Sequence, residues 1–80
     1  MMLHPDVIAF WEKRGCKVES RFDMEIWHDS MLWDAVKGNT IEYTIGMTFL
    51  NGERPDIYYW NREEYSEAEI LRIIKMKVFI

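Results

Sequence analysis

The stretch from Thr40 to Phe49 constrains the fold more than any other part of the chain. Ile41, Tyr43, Ile45, Met47 and Phe49 alternate with Thr40, Glu42, Thr44, Gly46 and Thr48. Successive side chains of a strand point to opposite faces, so this run predicts a strand with one apolar and one polar face. A sheet built on it buries one side only, as antiparallel sheets commonly do. Asn51-Gly52 follows at once, and that pair is a strong hairpin signal. The return strand is expected to contain Ile57, Tyr58, Tyr59 and Trp60, with Pro55 confining its first part to an edge or a widened turn.

The flanks read as helices. Pro5 suits a first helical turn, Asp6 complements the positive helix end, and Lys13 and Arg14 complement the negative one. Val7, Ile8 and Trp11 share a face, with Phe10 at its edge, and Gly15 fits the left-handed position past the end. A helix is expected over 5–14. At the other end, Ser66 and Glu69 form an S-x-x-E capping box, with Tyr65 and Ile70 placed as a hydrophobic staple. Ile70, Leu71, Ile74 and Val78 form the inward stripe, widened by Ile73. Between the helices, Cys16, Val18 and Phe22 alternate with charged residues and predict a first strand. A second is expected through Met24 to His28, and 30–36 is read as a loop or one helical turn. The whole, 1–80, is one α+β domain: a three- or four-stranded antiparallel sheet with an N-terminal and a C-terminal helix, in two layers.

Composition excludes several classes of function. The chain has 80 residues, with 10 Lys+Arg against 14 Asp+Glu, a formal net charge of −4. A nucleic-acid backbone binder normally needs a basic stripe, and no basic cluster here exceeds Lys13-Arg14. The longest apolar run, Val7 to Trp11, is far short of the roughly 20 residues that span a membrane. A lone cysteine, Cys16, forms no internal disulfide, and the first residues lack the pattern of a signal peptide. These features predict a cytoplasmic protein.

Little in the sequence points to catalysis or to a cofactor. His4 and His28 have no partner at metal-ligand spacing, so no metal site is expected. His28-Asp29 is a poor acid–base pair, because neighbouring strand residues face opposite ways. Cys16 falls on the Val18/Phe22 face and reads as a buried thiol. The glycines are isolated, so no glycine-rich phosphate loop exists. Glu63-Glu64 reads as a solvated face, and Glu67 and Glu69 as helix-start charges.

The aromatic residues carry the functional signal. Four Trp, four Tyr and four Phe occur in 80 residues. Periodicity gives Trp11, Phe22, Tyr43, Phe49 and Tyr65 core or staple roles. It leaves Trp27, Trp33, Tyr58 and Trp60 without an evident place indoors. Trp and Tyr are enriched at binding hot spots, so these four are expected as anchors of a binding surface. Asp29, Asp34 and Glu42 would supply its polar rim.

Val18 to Ile45 resembles a short module common in small phage-encoded proteins. The residues concerned are Trp27-His28-Asp29, Trp33-Asp34 and Glu42-Tyr43-Thr44-Ile45, with Thr44 standing where an arginine is usual. The resemblance covers about a third of the chain and implies a small phage accessory protein. Such proteins often bind and block a host protein, including defence nucleases and signalling enzymes. The leading expectation is therefore a non-catalytic protein-binding module that inhibits a host protein by steric occlusion in the host cytoplasm. A second is a homodimeric sponge for a nucleotide-type signal, using Trp33 or Trp60 with Arg21 or Arg54. A minimal enzyme using Cys16 or His28, and a structural or assembly protein, complete the alternatives.

Overall fold

A computed structural model of the chain describes residues 3–22, 30–49 and 57–78. The element order is α1 (Pro5–Glu12), β1 (Lys17–Phe22), β2 (Ser30–Lys37), β3 (Thr40–Phe49), β4 (Ile57–Trp60), β5 (Glu63–Tyr65) and α2 (Glu67–Val78). The strands form one antiparallel sheet in sequence order, β1-β2-β3-β4-β5. The architecture is α+β as expected, but among the described residues the sheet has five strands rather than three or four.

The helix ends follow local chemistry. His4 caps α1, its Nδ1 accepting from the Asp6 amide at 3.1 Å. The helix stops at Glu12, short of the expected 14. There the chain enters a Schellman arrangement: the Gly15 amide donates to the Glu12 carbonyl and the Cys16 amide to the Trp11 carbonyl, with Gly15 at φ 84. At α2 the capping box is formed. The Ser66 amide donates to Glu69 Oε1 at 3.2 Å, and the Glu69 amide donates to Ser66 Oγ at 3.3 Å.

This cap yields a pH prediction. The backbone hydrogen bond from Ser66 is the largest influence holding the Glu69 carboxyl below its ordinary range; the Ser66 hydroxyl and Arg72 act in the same direction. A carboxyl depressed in the folded state adds stability above its unfolded pKa and loses it as pH falls through the folded one. Urea unfolding at a series of pH values should show Glu69→Gln weaker than wild type near neutrality and equal to it in acid. Ser66→Ala should cost about 1 kcal/mol.

The expected loop at 30–36 is a strand. Two residues, Gly38 and Asn39, turn β2 back into β3, and β2 pairs with β1 on one side and β3 on the other. It is therefore an interior strand of the sheet, where pairing on both edges outweighs the favourable helix propensity of Met31, Leu32 and Ala35. A further strand, β5, occupies the stretch read as a solvated acidic face. The expected strand through Met24 to His28 lies outside the described residues.

The single apolar face expected for β3 is split. The β2–β3 register shifts between Trp33 and Asp34 and again between Ala35 and Val36, which leaves Ile45 and Glu42 as extra residues in two bulges. Ile45 packs into the main core, whereas Met47 pairs with Leu32 in a second cluster. The main core lies between the sheet and both helices: Leu3, Val7, Phe10, Trp11, Cys16, Ala35, Ile45, Tyr58, Ile70 and Ile74. Leu71 and Ile73 pack against its margin, as the helical stripe predicted. Gly46 permits close approach, since a Cβ there would stand 2.9 Å from Leu3 Cδ2. The opposite side of the sheet carries Leu32 and Met47, with Ile57 and Tyr59 against them.

Candidate functional site

The bulges in β3 decide where the site is. β2 covers one edge of β3 from Thr40 to Phe49, but β4 pairs with it only at Gly46↔Tyr58 and Met47↔Ile57. Bulges bend a strand and end its pairing. Beyond Gly46 the two strands part, and a cleft of about 960 Å³ opens between Glu42–Thr44 on β3 and Tyr59–Arg62 at the β4–β5 hairpin.

Aromatic rings form one side of this cleft. Trp11 is buried and touches both Tyr43 (centroids 5.4 Å) and Trp60 (5.8 Å). Tyr43 is 59% exposed, so its ring stands as an open wall. Trp60 is half-buried and also packs on Phe10. From the other side of the sheet come Arg21, Leu32, Thr44 and Tyr59. Burial, and after it the Glu64 carboxylate, raise the Tyr59 phenol above its ordinary range.

Arginines surround the rings, each fixed differently. Arg14 lies over the Phe10 ring, 3.6 Å from its centroid, a cation–π contact. Arg21 donates to Asp34 Oδ2, and Thr44 Oγ1 donates to Asp34 Oδ1 at 2.9 Å. That link ties β1, β2 and β3 together across the bulge. Arg62 sits in the two-residue hairpin turn Asn61-Arg62, at φ 51 and φ 67. Both central residues of this turn type need positive φ, which Asn tolerates and Arg does not. The fold pays strain to keep an arginine where glycine would be relaxed. Strain of this kind concentrates at functional sites. Among the described residues Glu42 is the only acidic one lining the cleft. Arg14 and Arg62 stand against it at the cleft, while the charge of Arg21 is met by Asp34.

The sequence-expected site residues fall in several places. Trp60 and Glu42 line the cleft. Tyr58 is a correction: it is 0% exposed, because the β4 register turns it opposite Gly46 and into the core. Its hydroxyl accepts from the His4 amide at 2.9 Å and donates to Glu67 Oε1 at 3.1 Å. Asp34 is likewise no rim residue, being 2% exposed and held by Arg21 and Thr44. Trp33 is half-buried against the core, and its Nε1 donates to Thr48 Oγ1 at 2.9 Å. Trp27 and Asp29 lie outside the described residues, as do His28 and Arg54. Two rings given core roles, Phe22 and Tyr43, are exposed instead.

Arg14, Arg62 and Tyr43 were not among the expected binding residues. For Arg62 a signal existed: an arginine directly after Asn61, at the end of the strand-like run Ile57 to Trp60, occupies a turn position that favours glycine. Cys16 is buried in the main core. Among the described residues no group of three or more His, Cys, Asp or Glu converges on a possible metal site. No described helix is long and apolar enough to cross a membrane. No family model, curated protein or solved structure matches the chain.

Proposed function

We propose that the protein is a non-catalytic binding module that recognises a partner protein through the cleft between β3 and the β4–β5 hairpin. The observation that carries this reading is the arrangement of Trp60 and Tyr43 about Trp11, with Arg62 held in a strained turn at the same opening. Aromatic and arginine side chains dominate protein-binding hot spots. The resemblance to small phage-encoded proteins makes the partner a host protein, and the mechanism steric occlusion of its surface. A second reading, a nucleotide-type ligand, draws on the same rings and arginines and on a cleft volume within the range of ligand sites.

Affinity capture from host lysate with wild type and two variants tests the proposal. Trp60→Ala should weaken retention of the captured partner by about 30-fold, as expected of a hot-spot anchor. Arg62→Gly should also weaken it, while raising stability by about 1 kcal/mol through relief of the turn. A variant that is more stable yet binds less separates function from folding. Equal recovery of the partner by all three proteins would overturn the reading. Its release by a nucleotide panel that also raises the melting temperature would favour the second one.

A further inference from the structure

We infer that the partner enters this cleft as an extended acidic segment that adds to the sheet along the edge of β3 that no described strand covers. The inference rests on the reading of the cleft as the partner site and names what fills it. An uncovered strand edge offers unpaired amides and carbonyls, a template for a further strand.

The edges of this sheet are not alike. β1 carries Lys17, Glu19 and Arg21, and β5 is three residues long with Glu63 and Glu64. Short length and charge are the usual means of blunting an edge. The β4 side of β3 is blunted only by its two bulges and by Glu42, which bend it without covering it. Over 40–45 no described strand pairs with it, Glu42 is its only charged residue, and Ile41 and Tyr43 are 50% and 59% exposed. It is also recessed, with the hairpin turn standing opposite across the cleft. Recession keeps a sheet edge from meeting another flat edge, yet leaves room for a single strand. At about 3.4 Å per residue, the span from Ile41 to Thr44 takes a segment of about four residues.

The lining specifies the side chains. Alternate residues of an added strand point to opposite sides of the sheet. Those on the helix side meet Trp11, Tyr43 and Trp60, which suits an aromatic or aliphatic residue. Arg14 and Arg62 suit carboxylates flanking it, and the Arg14 position is already fixed over Phe10. A second copy of this chain is a poor occupant, because its own β3 edge would bring the same arginines against these.

Selection of a displayed random heptapeptide library on the full-length protein tests the inference. The expected enrichment is an apolar residue flanked by Asp or Glu, with binding weakened by salt. A selected peptide is then N-methylated at alternate backbone amides. One set of methylations should lower affinity about tenfold or more, through lost strand hydrogen bonds, and the other set should leave it nearly unchanged. Amide resonances of Ile41 to Thr44 should shift on binding. Peptides without acidic enrichment, or indifferent to N-methylation at every amide, would overturn strand addition. If binding indifferent to N-methylation were still lost in Trp60→Ala, the cleft would stand as the partner site. Acidic, N-methyl-sensitive peptides indifferent to Trp60→Ala would show edge pairing but count against the cleft. Self-association blocked by Arg62→Glu would overturn the inference in favour of a second copy.

Discussion

Tyr58→Ala should come close to abolishing the fold. Removing a large buried aromatic side chain costs about 3–5 kcal/mol. A domain of this size holds only about 5–10 kcal/mol in total. The Tyr58 ring is 0% exposed and belongs to the cluster that joins both helices to the sheet. Its hydroxyl also connects the chain before α1 to the first turn of α2, through the His4 amide and Glu67. The ring and the hydroxyl are separable. Tyr58→Phe keeps the packing, leaves the His4 amide without this acceptor, and should cost about 1–2 kcal/mol. Urea unfolding followed by circular dichroism and tryptophan fluorescence measures both. A Tyr58→Ala protein within about 1 kcal/mol of wild type would contradict a core role for this ring.

The same residue shows what the sequence carried and what it did not. Ile57-Tyr58-Tyr59-Trp60 has a large side chain at every position, so alternation guarantees rings on both faces without saying which face is covered. The register opposite Gly46 decides it, and register is a tertiary property. The helix ends were legible because capping is local: Pro5, Ser66 and Glu69 act on amides a few residues away. The strand β2 was not, since Ser30–Lys37 has little period of its own and is held by partners on both sides.

The bulges explain why the site was only half legible. Perfect alternation in β3 predicted one apolar face, and Tyr43 was assigned to it. Two extra residues in β3 split that face and move Met47 away from Ile45, while Tyr43 stays on the Ile45 side against Trp11 but remains exposed. They also part β3 from β4, so the cleft follows from a departure from the period rather than from the period itself. The excess of aromatic residues pointed to Trp60 but not to Tyr43 or to the arginines around them. Trp60 lies in the run where rings outnumbered sheltered positions. Arg14 and Arg62 come from a helix end and a turn, brought to the cleft only by the tertiary fold.

The second large effect concerns Arg21 and Asp34. The two residues of this pair are unequally placed, and the asymmetry sets the sign of the comparison. The Asp34 side chain is 3% exposed, whereas that of Arg21 is 40% exposed. Arg21→Ala leaves a buried carboxylate with the Thr44 hydroxyl but without the guanidinium, and should cost about 3 kcal/mol. Asp34→Leu leaves a guanidinium that reaches water by rotating outward, and should cost less. Replacing both, as Arg21→Met with Asp34→Leu, places apolar groups beside Leu32 and Met47 and should return stability to within about 1 kcal/mol of wild type. The charged link would then matter for register rather than for stability. Asp34 sits at a register shift and holds Thr44 across it, so it fixes the bulge that opens the cleft. The double variant should therefore unfold at wild-type urea concentrations yet show more than one set of amide resonances for β2 and β3. A single set, with Trp60 and Tyr43 unshifted, would leave the register to packing alone. An Arg21→Ala protein more stable than Asp34→Leu would show that the carboxylate, despite its burial, is not the group that needs its partner.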